Sequence, residues 1–199
     1  VVAAADIGVI EGLGNRDTSY SLDVTDEAAQ KEVIANAVKQ HGPVQICVAN
    51  AGIAEGRTLQ KTQMELWRKI MATNLDGAFI TIREAMSSMT STDWGRVIAI
   101  SSIAGLRGLK GGGAYAASKH AIIGLTKALS NEWSALGVNV NAIAPGYIAT
   151  DHNTALRSDP VRMPEVTSRI PIGRWGVSED IAGTAVFLSG SGANYISGS

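Results

Sequence analysis

Short apolar runs alternate with helix-length segments along nearly the whole chain, and this alternation is the strongest constraint on its fold. Residues 1–7 (VVAAADI) read as a buried strand ending in a carboxylate, and residues 18–24 (TSYSLDV) as a short strand. Residues 44–49, 96–101 and 138–144 (VQICVA, RVIAIS, VNVNAIA) read as further strands. Between them, residues 26–40 carry apolar side chains at helical spacing and stop before His41-Gly42-Pro43. Thr62 stands where it would cap a helix running through Ile70 to Asn74, and a second helical stretch continues to about Met89. Residues 114–136 form a long helix stopped by Gly137, and Ser178 caps a last one over 179–188. Strands alternating with helices imply βαβ units, hence a doubly wound parallel α/β sheet with helices on both faces. In such sheets ligands bind beyond the carboxyl ends of the strands. Asp6, Asn50, Ser102 and Pro145-Gly146 all stand just after strands.

Composition narrows the function. A net charge of -1 gives no basic surface for nucleic acid or an anionic membrane. No apolar run reaches the roughly 18 residues of a membrane span. The first residues read as a strand rather than a signal peptide. Cys47 is the only cysteine, so no internal disulfide can form; it sits mid-strand as a core residue, and a cytoplasmic location is expected. His41, His120 and His152 are not spaced as metal ligands, and no metal is expected. Trp67 and Trp133 fall on helices as packing residues. The 22 glycines fit tight strand-to-helix turns and close approach of backbone to a ligand.

Tyr115 and Lys119 carry the first chemical signal. At i,i+4 on a helix their side chains share one face. A phenol ordinarily ionises near pH 10, and an adjacent ammonium favours the phenolate. Bringing a phenol to near 7 takes about 4 kcal/mol of differential stabilisation. The pair alone is also a common surface arrangement. Ser102 lies thirteen residues earlier, directly after RVIAIS. Its hydroxyl either hydrogen-bonds a substrate carbonyl or its developing oxyanion, or caps a turn.

With Ser102 and Tyr115-Ala116-Ala117-Ser118-Lys119 in place, the chain resembles the short-chain dehydrogenase/reductase family. The family's Asn-Ala-Gly turn is matched by Asn50-Ala51-Gly52, its mid-helix asparagine by Asn74, and its Pro-Gly turn by Pro145-Gly146, followed by Ile148 and Thr150. The resemblance spans essentially the whole sequence. It implies that Tyr115 exchanges the proton at the substrate oxygen and that Ser102 positions the carbonyl. Lys119 would tune Tyr115 and bind the nicotinamide ribose, and Asn74 would hold a water leading from Lys119 to solvent. It places Asn50-Ala51-Gly52 beside the adenine ribose, Pro145 to Thr150 at the nicotinamide end, and Asp23-Val24 near the adenine. Asp6, with Ile7 beside it, would accept from the adenosine 2′-hydroxyl and repel a 2′-phosphate, which favours NAD over the alternative, NADP. Arg16 is the nearest arginine.

The family's glycine-rich phosphate loop is expected upstream of Val1, and its final Val-Asp-Gly-Gly strand beyond Ser199. Residues 1–199 are therefore expected to form a partial single dinucleotide-binding domain, lacking both edges and binding the dinucleotide poorly without that loop. Gly12-x-Gly14 and residues 108–113 do not substitute, since neither follows a strand and opens a helix. The stretch from Asp6 to Asp23 is shorter than usual for the family.

Residues 149–176 read as an irregular insertion, a substrate lid. Residues 139–176 resemble sugar-acid dehydrogenases of the family, of the 2-deoxy-D-gluconate 3-dehydrogenase and gluconate 5-dehydrogenase kind. Arg107 either pairs with a substrate carboxylate or is a solvated loop residue. Tyr147 and His152, with Asp151 and Asn153, would suit a hydroxylated substrate. The expected reaction is the interconversion of a secondary alcohol and a ketone on a small polar hydroxy or sugar acid. The alternatives are a 3-oxoacyl thioester reductase, or a non-catalytic member binding a nucleotide or partner. A homotetramer is implied, through helices over 81–89 and 121–136.

Overall fold

The computed structural model describes residues 2–6, 8, 14, 15 and 17–199; expectations placed on Ile7, Gly12 and Arg16, and on the His152 side chain, lie outside the described residues. Strand β1 (Ala3–Asp6) pairs in parallel with β2 (Thr18–Ser21), Ala3 opposite Thr18. Strands β3 (Ile46–Ala49), β4 (Gly95–Ile100) and β5 (Val138–Ile143) form a second parallel sheet in that order, Ala49 opposite Ala99 and Ile100 opposite Ile143. Parallel neighbours need crossovers. Helix α1 (Glu27–His41) joins β2 to β3, α2 (Met64–Met71) and α3 (Gly77–Met89) join β3 to β4, and α4 (Gly113–Trp133) joins β4 to β5.

The core explains the order. Val97, Ile98 and Ala99 of β4 are each 1% exposed, so the central strand is covered on both faces. On one face Val97 and Ala99 pack with Ile82, Met86 and Met89 of α3 and Ile122 and Leu129 of α4. On the other, Ile98 and Ile143 pack under Leu188 of α7 (Ser178–Ser189). Asp26 caps α1 by accepting from the Ala29 amide, and Gly137, at φ 80°, turns the chain from α4 into β5.

Five expectations need correction, the first being the Ser178 cap: Ser178 is the first residue of α7, and Val177 stands at its N-cap. The strands at residues 1–7 and 44–49 are not buried throughout. Among the described residues β1 pairs only with β2 and is largely exposed. In β3, Cys47 and Ala49 face α3, while Ile46 and Val48 stand 45% and 46% exposed because α7 covers β4 and β5 instead. Thr62 does not cap a helix: its hydroxyl donates to the Thr58 carbonyl in a preceding tight turn, and α2 begins at Met64. The insertion over residues 149–176 is not wholly irregular. It holds α5 (Thr154–Arg157) and α6 (Arg162–Thr167). Pro164 is tolerated as the third residue of α6, where a backbone N–H has no helical acceptor. The insertion's stem is closed by backbone bonds from Ala149 N–H to Gly176 and from Gly176 N–H to Tyr147. No helix among the described residues is long and apolar enough to cross a membrane.

Candidate active site

The carboxyl ends of β3, β4 and β5 deliver Asn50, Ser101-Ser102 and Pro145 to one end of the second sheet. Two backbone bonds tie these ends together: Ser101 N–H to the Ile143 carbonyl and Ile103 N–H to the Pro145 carbonyl, each 2.8 Å. After β4 a tight turn, Ile103–Gly105, lies directly against α4. The contact requires glycine, because a Cβ on Gly105 would sit 2.6 Å from the Lys119 carbonyl oxygen. Ser101 completes the seam, its hydroxyl donating to that carbonyl at 2.9 Å.

Lys119 is 4% exposed. Its ammonium donates to the Ile100 carbonyl at 2.6 Å and lies 5.8 Å from the centroid of the Tyr115 ring. No described carboxylate compensates it, and burial pulls it from the ordinary lysine value of 10.5 to about 8. Tyr115, one helical turn earlier, is partly exposed. Ser102 is buried, and its oxygen accepts from the Ala104 amide at 3.1 Å, capping the turn. The two readings of Ser102 are therefore compatible: the oxygen caps, and the hydroxyl proton remains a donor. An ammonium beside a phenol, with a hydroxyl donor after the adjoining strand, can hold a proton at one atom and polarise an oxygen at another.

Asn74 lies in a π-helical turn, Ala72–Asp76, between α2 and α3, and is 1% exposed. Its Oδ1 accepts from Ile53 N–H at 2.7 Å, and its Nδ2 donates to the Ile53 carbonyl at 2.9 Å and to Ser118 Oγ at 3.1 Å. The carboxamide is thus occupied by protein partners. Gly52 closes this roof: a Cβ there would stand 3.4 Å from both Asn74 Oδ1 and Lys119 Nζ. Ile53 and Ser118 were not singled out from the sequence, because neither bond has a local sequence signal.

The remaining expected residues lie as follows. Asp6 ends β1, exposed, its carboxylate accepting from Gly8 N–H at 2.8 Å. Asp23 follows β2 and accepts from the Thr25 backbone and hydroxyl, which hold its carboxyl below the ordinary range. Val24 packs where Gly77 opens α3. Asn50 and Ala51 are exposed after β3. Gly146 is exposed, while Tyr147 packs its ring 5.4 Å from that of Trp175. Ile148 bridges to Gly176, and the Thr150 carbonyl accepts from Arg157. Arg107 is exposed on the turn after Ser102 and makes no ion pair among the described residues. Trp175, 9% exposed, donates its indole N–H to Thr167 Oγ1 at 3.0 Å and so ties α6 to the stem. The structure therefore brings together Gly52, Asn74, Tyr115 and Lys119, with Ser102 and Pro145 tied in through the turn after β4.

Known proteins resemble this chain over most of its length. A family model described as Enoyl-(Acyl carrier protein) reductase, one of the short-chain dehydrogenase models, matches residues 7–199. The chain is 39% identical over 190 residues to a 2-dehydro-3-deoxy-D-gluconate 5-dehydrogenase of Bacillus subtilis, covering 96% of this chain and 74% of the relative. It is 36% identical over 186 residues to a 3-oxoacyl-(acyl-carrier-protein) reductase of Salmonella typhimurium, covering 94% and 75%. Among solved structures, a gluconate 5-dehydrogenase of Burkholderia cenocepacia in complex with NADP and tartrate superposes with a TM-score of 0.89 at 30% identity, covering 92% of this chain and 71% of that one. With Ser102, Tyr115 and Lys119 standing on the expected strand end and helix, the chain belongs to the short-chain dehydrogenase/reductase family.

Proposed function

We propose that this chain carries the active site of an NAD(P)-dependent oxidoreductase interconverting a secondary alcohol and a ketone on a small polar hydroxy acid or sugar acid. The observation that carries the reading is the buried, uncompensated Lys119 ammonium beside Tyr115. Such an ammonium stabilises a neighbouring phenolate more strongly than an exposed one would. Tyr115 holds the proton at the substrate oxygen, and Ser102 donates to that same oxygen. Lys119 has one described acceptor, Ile100 O, for its three N–H groups, so two remain for ribose hydroxyls. With the space left by Gly52, this fits the nicotinamide-ribose end of a dinucleotide. When bound, the nicotinamide supplies hydride transfer. In this reading Asn74 supports proton passage from Lys119, and Asn50-Ala51-Gly52, Asp6 and Asp23-Val24 face the adenosine. Pro145, Gly146, Ile148 and Thr150 face the nicotinamide, and residues 149–176 form the lid, with Arg107, Tyr147 and His152 toward the substrate. Nicotinamide absorbance with a panel of gluconate, 2-dehydro-3-deoxygluconate, a 3-hydroxyacyl thioester and a lipophilic alcohol tests it. Turnover of a sugar acid is expected. Turnover of the lipophilic alcohol alone would overturn the substrate class. Turnover of the thioester alone would favour the second reading, a 3-oxoacyl thioester reductase, which the Salmonella relative supports.

NAD is the proposed preference. The Asp6 carboxylate ends β1 without a paired arginine among the described residues. Repulsion of a 2′-phosphate there is worth about 1–2 kcal/mol, about tenfold in kcat/KM for NAD over NADP. The Burkholderia neighbour holds NADP, so the ratio measured here, and its loss in Asp6→Ala, decides whether Asp6 discriminates.

The lid gives a further expected result. Trp175→Phe keeps the ring beside Tyr147 but removes the bond to Thr167. KM for the acid substrate should rise about fivefold, the worth of one buried hydrogen bond, with kcat within about twofold. The reading also includes a homotetramer, testable by light scattering, and a cytoplasmic location, consistent with the single buried Cys47.

A further inference from the structure

We propose that Ser118 is a positioning residue of this site, its hydroxyl locking the Asn74 carboxamide to the helical turn that carries Tyr115 and Lys119. Ser118 is fully buried, and its Oγ donates to the Tyr115 carbonyl at 2.8 Å while accepting from Asn74 Nδ2 at 3.1 Å. Thr126 and Ser130 of α4 likewise donate to carbonyls of their own helix, at Ile122 and Lys127. Among the described residues, Ser118 is the one of these three that also accepts from outside the helix, on a chain running from Tyr115 O through Ser118 Oγ and the Asn74 amide to both backbone groups of Ile53.

That chain returns to the neighbourhood of Lys119. Ile53 follows Gly52, whose missing Cβ leaves the gap beside Lys119 Nζ and Asn74 Oδ1. Ser118 therefore acts on Lys119 twice: along the helix, and through Asn74, Ile53 and Gly52. Removing the hydroxyl leaves a buried Nδ2–H without an acceptor, which is relieved only if Asn74 moves or water enters. Either change loosens the packing that leaves Lys119 only 4% exposed. The groups facing Lys119 are Tyr115 on its own helix, the Ile100 carbonyl of β4 and the Gly52 turn, and no described carboxylate pairs with it.

The inference rests on the proposed function for its kinetic consequence but not for its first test. In protein carrying isotope-labelled lysine and no dinucleotide, the Lys119 side chain is titrated by NMR. The wild type should titrate near 8, and Ser118→Ala at least about half a unit higher as water enters. In the active enzyme Ser118→Ala should lower kcat by about tenfold with KM for the alcohol within about twofold, and in an Asn74→Ala background it should have less than about a twofold further effect. If Ser118→Ala does not fold, Ser118→Cys, nearly the same size with a weak acceptor, carries the same comparisons. An unchanged Lys119 titration would overturn the proposal, even with a lowered Tm, and so would full additivity with Asn74→Ala. Should the wild type turn over no alcohol at all, the functional reading fails while the titration still decides the role of Ser118.

Discussion

Tyr115→Phe is expected to lower kcat by about two to four orders of magnitude, the usual contribution of a positioned acid–base group, with Tm essentially unchanged. The ring is partly exposed, so the fold loses little with the hydroxyl. Lys119→Met should be similarly inactive yet more stable at pH 7. Folding lowers the Lys119 value from 10.5 to about 8. Between those values the unfolded chain binds the extra proton, so parent stability should rise with pH from about 8 to 10.5. Below pH 8 both states are charged, and the folded one carries a desolvation penalty of about 3 kcal/mol. Methionine removes that penalty and leaves the Ile100 carbonyl unpaired, at a cost of about 1–3 kcal/mol. The net expectation is about 1 kcal/mol of added stability at pH 7, with the alkaline rise gone. Denaturant titrations at pH 7 and 10 check it. A variant less stable than the parent at pH 7 would mean that Lys119 is not held dry.

The candidate site was legible where its members carry local signals. Tyr115 and Lys119 are one helical turn apart, and Ser102, Asn50 and Pro145 each follow an apolar run, so periodicity alone places them at strand ends. What escaped is what depends on distant partners. Residues 44–49 look as apolar as 96–101, but burial is decided by which helices arrive above them, and α7 stops over β4 and β5. The helices within residues 149–176 are too short to show a period, and the prolines in and around them argue against any helix until Pro164 is seen in a first turn. Thr62 has the chemistry of a cap and spends it on Thr58. Asn74 was found only through its family match; its partners Ile53 and Ser118 lie 21 and 44 residues away. The π turn that aims it has no pattern in the residues Ala72-Thr73-Asn74-Leu75-Asp76.

Gly105→Ala should damage both the fold and the candidate site. The added Cβ would lie 2.5 Å from Ser101 Oγ and 2.6 Å from the Lys119 carbonyl oxygen. One obstacle is backbone inside a long helix and cannot swing away. The other is a buried hydroxyl, and moving it breaks its bond to that same carbonyl. Overpacking and an orphaned hydroxyl together come to about 2–4 kcal/mol, a fall in Tm of about 5–15 °C for a chain of this size. The only relief is for α4 to back away from the turn after β4. That shifts Lys119 relative to Ile100 and Tyr115 relative to Ser102. A displacement of about 1 Å is enough to lower kcat about a hundredfold. Gly183→Ala is the contrast: it lies inside α7 with nothing within 4 Å of its would-be Cβ. There alanine should add about 0.5–1 kcal/mol through helix propensity and leave kcat unchanged. Activity of Gly105→Ala is to be measured well below its Tm, so that misplacement is separated from unfolding. A variant that lost stability but kept full kcat would show that the seam between β4 and α4 holds the fold without setting the geometry of Tyr115 and Lys119.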